Sequence, residues 1–278
     1  MRPPFTIDQL NCVIAVATEV GSNEVLPYFL RLRSSQISRK SSAFDIVTDV
    51  DRRSEAAIES KLLAAFPGSR IIGEEAAHQD PSMLASIEDA SLAFVVDPLD
   101  GTMNFASGVP LFGLMIAVVQ GGDVTGAVIY DPICQRTTTA LRGAGAWEVQ
   151  NGGERMPIHV AEPVPLNEMH AIIGTNFLPE PQRAIVSRNL ARLGMTNWFR
   201  CAAHEYRLAA AGHTHLLFYS RLMPWDHAAG WLIHREAGGY SAHFDGSTYR
   251  PFHTQGGLLC APNRAAWELA RGALFSSQ

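Results

Sequence analysis

One stretch limits the possible folds more than any other. Leu92–Phe105 reads Leu-Ala-Phe-Val-Val-Asp-Pro-Leu-Asp-Gly-Thr-Met-Asn-Phe. The apolar run Leu92–Val96 predicts a buried strand that delivers Asp97 and Asp100 to a turn set by Pro98 and Gly101, and Thr102-Met103-Asn104 suits the opening of a helix. Two carboxylates three residues apart at the end of such a strand repel each other, so something cationic must hold them. Oxygen donors of this kind suit the hard cations Mg²⁺, Mn²⁺ or Ca²⁺, and the free N–H groups of a helix start favour phosphate. An Asp-Pro turn with a helix cap would account for Asp97-Pro98 alone. The second aspartate and the Gly-Thr after it point to metal plus phosphate.

Other acids follow the same logic. Arg70–Ile72 predicts a short strand running into Gly73-Glu74-Glu75, and Asp226 opens a helix in Pro224-Trp225-Asp226-His227-Ala228-Ala229-Gly230. Asp45–Asp51 enters a helix whose core face is Ile58, Leu62 and Phe66 and whose end is marked by Pro67-Gly68, with Asp51 at its start, where a cap would also suffice. Upstream, Thr6 and Gln9 form a capping-box pattern before one or two packed helices over residues 7 to about 32. Ser34–Ala43, with Arg39 and Lys40, reads as a flexible polar loop.

Leu111–Val119 and Val124–Tyr130 predict strands joined by a hairpin at Gly121-Gly122-Asp123, and Arg136–Leu141 and Ala146–Val149 continue the pattern. Further on, strands (Ala171–Gly174, Leu216–Tyr219, Leu258–Ala261) alternate with helices (Pro181–Leu193, Ala202–Ala211, Pro224 to about Ala237, and one from Asn263). Gly143 and Gly145 lack the third glycine of a dinucleotide fingerprint, since Glu148 stands there, and no Gly-Lys-Ser/Thr exists for a P-loop. His213 and His215 lack a further local ligand and read as strand-end surface residues.

At 278 residues and formal net charge −5, without a run of five like charges, the chain is sized for a full core and offers no general surface for nucleic acid or anionic membrane. Cys12, Cys134, Cys201 and Cys260 are scattered, as expected for free thiols in a reducing cytoplasm. There is neither a leader-like apolar segment nor a span of 18 apolar residues, so a soluble cytoplasmic protein is expected.

Gly73-Glu74-Glu75, Asp97-Pro98-Leu99-Asp100-Gly101-Thr102-Met103-Asn104-Phe105 and Trp225-Asp226-His227-Ala228-Ala229-Gly230, in that order, resemble the inositol monophosphatase family of metal-dependent, lithium-sensitive sugar phosphatases. Asp45-Ile46-Val47-Thr48 with Asp51, Gly143–Ala146 followed by Asn151-Gly152, and Glu236-Ala237-Gly238-Gly239 extend the likeness over nearly the whole chain.

The resemblance implies a layered αβαβα sandwich of mixed α/β class, with a single catalytic domain over 1–278 made of packed halves of roughly 1–160 and 161–278. It implies Mg²⁺, with Mn²⁺ as a substitute and Ca²⁺ or Li⁺ as inhibitors, a small phosphorylated metabolite as substrate, and a homodimer. Glu74, Asp97 and the Leu99 carbonyl correspond to ligands of a first ion, and Asp97, Asp100 and Asp226 to those of a second, with Glu74 reaching a third through water. Asp51 and Thr102 correspond to the pair that orients and deprotonates water, while the N–H groups of Gly101 and Thr102 would receive phosphate oxygens. Asp100, Ala202 and Asp226 would also border the substrate, and Lys40 falls at a mobile-loop lysine near the metals.

The chain departs from the pattern where substrates are chosen. Arg200 and Cys201 stand where Gly and Ser or Thr are usual, and Tyr219 replaces a glutamate that binds sugar hydroxyls. Arg200, with Arg207 or Arg221 nearby, suits a second anionic group on the substrate, because guanidinium matches phosphate and carboxylate. Inositol monophosphate-like esters therefore compete with 3′-phosphoadenosine nucleotides, fructose bisphosphate and histidinol phosphate, and a non-catalytic binding protein on the same fold is the rival of a different class.

Overall fold

The structure is a computed structural model that describes residues 4–42, 45–150 and 152–277. The chain opens with α1 (Ile7–Val20), capped reciprocally by Thr6 and Gln9 as expected, and continues through a π-helical turn (Gly21–Val25) and a 3-10 turn (Leu26–Tyr28). Strand β1 (Ile37–Ser42) then pairs antiparallel with β2 (Asp45–Thr48). The expected loop is thus a hairpin arm: its backbone groups bond to β2 although its side chains show no apolar alternation. Helix α2 (Asp49–Ala65), β3 (Arg70–Gly73), α3 (Glu74–Gln79), a 3-10 turn (Pro81–Ala85) and α4 (Ser86–Asp89) lead to β4 (Ala93–Asp100) and α5 (Thr102–Ala106).

A meander follows: β5 (Gly113–Gln120), β6 (Asp123–Asp131), β7 (Arg136–Leu141), β8 (Gly145–Gln150) and β9 (Met156–Pro157). The hairpin between β5 and β6 turns on Gly121 and Gly122, both at positive φ, as a tight hairpin requires. The remainder comprises β10 (His170–Ile173), α6 (Gln182–Asn189), β11 (Met195–Asn197), α7 (Ala202–Ala210), β12 (Leu216–Tyr219), α8 (Pro224–Glu236), β13 (Tyr240–Ala242), β14 (Leu258–Ala261) and α9 (Arg264–Leu274).

One sheet has the order β3-β4-β5-β6-β7-β8-β9 and is antiparallel except for β3 with β4; the other has the order β11-β10-β12-β14-β13, with β11, β10 and β12 parallel. Alternation along the strands sorts the layers. Ile116, Val118 and Val128 pack with Leu10, Val13, Ile58 and Leu62 of α1 and α2. Met115, Ala117 and Ile129 on the opposite face join Tyr206 of α7, Leu232 of α8, and Ile172, Leu217 and Cys260 of the second sheet. The outer face of that second sheet, with Ala171, Phe218 and Leu259, is covered by Val186 of α6 and Trp267 and Ala270 of α9. The result is an αβαβα sandwich. The central strands β4 and β5 are buried on both sides, which is why they read as continuous apolar runs rather than alternating ones. Among the described residues no helix is long and apolar enough to cross a membrane.

Candidate active site

Strands β3 and β4 are parallel, with Gly73 opposite Val96. The residue that leaves β3, Glu74, therefore arrives beside Asp97, the next residue of β4. That strand does not end at Val96 in a turn, as the sequence suggested, but continues to Asp100, with an irregularity between Asp97 and Asp100 in its pairing to β5. Pro98, with no N–H for a ladder, falls inside the irregularity. In a regular strand, residues three apart face opposite sides. The break instead brings ligand atoms of Asp97, Asp100 and Asp226 within 4.8 Å of one another. Asp226 comes from the first turn of α8, which is packed between the sheets.

The cluster is electrostatically costly without a cation. Burial, followed by the charges of Glu74, Asp100 and Asp226, holds the Asp97 carboxyl well above the usual range. Burial likewise pushes Asp100 up to about 6, although the Ala203 N–H and the Cys201 thiol oppose the shift. Those donors reach Asp100 Oδ2 at 2.6 Å and 3.1 Å. Among the described residues no arginine or lysine forms an ion pair with Asp97 or Asp100. An all-oxygen, all-acidic donor set fits a hard divalent cation and fits neither a soft metal nor an organic cofactor. Behind Asp226, buried His227 faces the Arg221 carbonyl (3.1 Å) and the Tyr206 hydroxyl (3.2 Å). Burial lowers its pKa to about 4, so it stays neutral and adds no charge.

Asp51 meets Thr102 across the chain. Its Oδ2 accepts from the Thr48 backbone (2.8 Å) and hydroxyl (2.5 Å), which completes the cap of α2, while Oδ1 accepts from Thr102 Oγ1 (2.9 Å). Thr102 Oγ1 also lies 2.9 Å from the Leu99 carbonyl oxygen. Burial, tempered by the Thr48 hydroxyl and reinforced by Glu74, pushes Asp51 up to about 7. Between these groups Gly101 has φ +83°, and a Cβ there would lie 2.8 Å from the Leu111 carbonyl oxygen, so a side chain is excluded twice over.

Arg200 lies exposed at the rim with a left-handed backbone (φ 56°) and donates to Asn104 Oδ1 (2.9 Å) and Met103 Sδ (3.2 Å), on the helix that Thr102 opens. Among the described residues no carboxylate forms an ion pair with it. Ala202 begins α7 and is buried. The hydroxyl of Tyr219 is buried beside Glu205, and its ring stacks on Tyr206. His213 is exposed and His215 half-buried, ahead of β12. Lys40 is on β1, but its side chain, like Asn151, lies outside the described part of the structure.

Sequence reasoning missed two buried acids that support the site, Glu55 and Glu205. Glu55 accepts from the N–H groups of Glu75 and Ala76 (both 2.8 Å) and so caps α3, whose first residue is Glu74. A Cβ on Gly73 would lie 2.3 Å from its carboxyl. Burial pushes Glu55 up to about 7. The available signal was its place one turn after Asp51 on the helix face that carries Ile58 and Leu62. Glu205 accepts from the Phe199 N–H (3.1 Å), and burial followed by the Asp100 charge pushes it up to about 8.

Comparison with known proteins agrees with this geometry. The sequence profile described as "Inositol monophosphatase family" matches residues 9–276. The chain is 34% identical over 248 residues to a protein of Xylella fastidiosa named Nus factor SuhB, covering 86% of this chain and 82% of that one. It is 32% identical over 249 residues to an inositol-1-monophosphatase of Mesorhizobium japonicum, covering 85% and 86%. The crystal structure of the extragenic suppressor protein SuhB from Bartonella henselae superposes with a TM-score of 0.81 at 30% identity, over 97% of this chain and 99% of that one.

Proposed function

The chain belongs to the inositol monophosphatase family, and from that premise we propose that it is a Mg²⁺-dependent phosphomonoesterase that hydrolyses a small phosphorylated metabolite. The observation that carries this reading is the convergence of Asp97, Asp100 and Asp226 within 4.8 Å, with the Asp51–Thr102 hydrogen bond at the end of the same strand. Glu74, Asp97, Asp100, Asp226 and the Leu99 carbonyl would hold the ions. When bound, divalent cations supply a lowered pKa for water and neutralise phosphoryl charge.

The protein's own groups do the rest. Thr102 Oγ1 accepts a hydrogen bond from the attacking water and directs its own proton to Asp51 Oδ1, whose partner oxygen Oδ2 is already fixed by Thr48. With its other oxygen held by Thr48, Asp51 is placed to take that proton as a general base. The N–H groups of Gly101 and Thr102 receive phosphate oxygens, and the left-handed backbone of Gly101 (φ +83°) sets the turn that carries them. Cys201 and Ala203 orient Asp100. Mn²⁺ substitutes for Mg²⁺, Li⁺ and Ca²⁺ inhibit, and two copies associate.

Inositol monophosphate-like esters are the first substrates to test. A substrate with a second anionic group is favoured by Arg200, whose charge meets only neutral partners among the described residues. The relatives named Nus factor SuhB support a second reading, a non-catalytic binding role on this fold; the complete set of ligand positions favours catalysis. The test is release of phosphate from a panel of esters, with Mg²⁺ titrated against Li⁺, for the wild type and Arg200→Ala. Selective loss of bisphosphate esters, as a rise in KM, is expected. Equal KM values across the panel would remove Arg200 from the specificity assignment, and no turnover on any ester would favour the binding role.

A further inference from the structure

The chain carries 22 Lys and Arg against 27 Asp and Glu, for a formal net charge of −5. With acids in excess, an arginine is expected to meet a carboxylate nearby. Arg31 and Arg33 do not. Both are exposed, and among the described residues no carboxylate forms an ion pair with either. They line one cavity of about 380 Å³ together with Pro27, Tyr28 and Gln36, on the segment between α1 and β1.

The backbone is bent to bring them there. Leu30 has a left-handed backbone (φ 64°), which residues other than glycine seldom adopt, yet its side chain is 75% exposed, so core burial does not offset that conformation. The bend instead returns Arg31 to Tyr28, whose carbonyl accepts from the Arg31 N–H (2.9 Å). Arg33 and Gln36 then close on each other: the Arg33 N–H donates to Gln36 Oε1, and the Gln36 N–H to the Arg33 carbonyl (both 2.9 Å). Tyr28 is held from α2. The Arg53 guanidinium lies over its ring, 4.1 Å from the centre, while Nη1 donates to the Tyr28 hydroxyl (2.9 Å) and Nε to the Asp49 carbonyl (3.3 Å). The Asp49 carboxylate is paired with Arg52 (3.4 Å). The cavity therefore has a fixed aromatic wall that bears a third positive charge, and two guanidinium groups free to take an anion.

We propose that this cavity is a second anion site, for a phosphate dianion, in which the Arg31 and Arg33 guanidinium groups bind the oxygens and Gln36 and the Tyr28–Arg53 pair form the wall. Guanidinium forks match phosphate oxygens in pairs, and such charge-assisted bonds are about twice as strong as neutral ones. Free phosphate and the phosphate of a monoester share that chemistry. The inference is independent of the phosphatase reading, since it uses no residue of the Asp97 cluster.

The test titrates inorganic phosphate and β-glycerophosphate, by calorimetry in chelator, into the wild type, the double variant Arg31→Gln/Arg33→Gln, and Arg155→Gln, an exposed arginine that lies over Trp147 instead. Saturable binding of one phosphate is expected in the wild type and in Arg155→Gln, and binding weaker by about tenfold or more in the double variant. Tighter binding of inorganic phosphate names the free ion as the occupant, and tighter binding of β-glycerophosphate a monoester. No saturable binding to the wild type, equal binding by the double variant, or equal weakening in Arg155→Gln would overturn the inference. Hexaglutamate binding more tightly than either phosphate would also overturn it and give the cavity to an acidic protein segment. Ester turnover in Mg²⁺ is expected to be the same in the double variant as in the wild type. If neither hydrolyses any ester, the phosphatase reading falls and the titration in chelator still decides this one.

Discussion

At Thr102 one hydroxyl stands 2.9 Å from both Asp51 Oδ1 and the Leu99 carbonyl oxygen, with a single proton to give. Only the first arrangement passes that proton to a titratable group. Removing either member should therefore act on the chemical step: Asp51→Asn and Thr102→Ala are expected to lower kcat by about 10²–10⁴-fold with KM changed much less, measured by steady-state phosphate release. A fall in kcat/KM carried by KM alone would make the pair a binding element. The sequence already placed Asp51 at a helix start and Thr102 after a turn, and the resemblance paired them. Residue spacing alone left that pair invisible, because 51 positions separate residues that only the fold brings together. Glu205 was less legible still: an acid at the start of a helix looks solvated, and its burial follows from the Phe199 backbone turning over it.

Among the elements, α3 shows how a metal ligand is positioned from outside the site. Its first N–H groups are satisfied by Glu55 of α2 rather than by a cap of its own, since Gly73 provides none. Glu55→Ala removes the acceptor of two helix N–H groups, one buried and one half-buried, and is expected to cost about 1–3 kcal/mol of stability. It should also weaken Mg²⁺ activation several-fold, since Glu74 begins that helix. Urea unfolding and a Mg²⁺ titration check both, and unchanged Mg²⁺ dependence would detach the cap from the metal site. Most elements were legible because their apolar periods are strong, as in β5, β6 and α2. The β1–β2 hairpin was not, since it is held by backbone pairing rather than by an apolar face. Short strands such as β11 and β13 were also missed, each being only three residues long. The extension of β4 through Pro98 was hidden because proline ordinarily ends a strand.

For the whole molecule, the αβαβα layering packs α7 and α8 between the two sheets, so Asp226 of α8 meets Asp97 and Asp100 of β4. Asp51, Glu55, Asp100 and Glu205 are raised to about 7, 7, 6 and 8. Groups raised in the folded state stabilise it fully below their unfolded pKa, near 4, and lose that contribution as pH rises through the folded values. The metal-free protein should therefore lose heat resistance between about pH 5 and pH 8, whereas saturating Mg²⁺ should offset the part due to Asp100, which it binds deprotonated. Calorimetry with chelator or Mg²⁺ across that range checks this, and a metal-free Tm that climbs steadily with pH would contradict it. The substrate was the least legible property, since Arg200, Cys201 and Tyr219 stand where the chain departs from the family pattern and no motif says what they bind. The central claim is that the Asp97 cluster holds the catalytic cations. It is tested most directly by phosphate release from inositol 1-phosphate, adenosine 3′,5′-bisphosphate and β-glycerophosphate by the wild type and Asp97→Asn, in Mg²⁺ and in chelator. Turnover of at least one ester that requires Mg²⁺ and falls by about 10³-fold or more in the variant is predicted. Turnover that survives chelation, or that Asp97→Asn leaves intact, would contradict it.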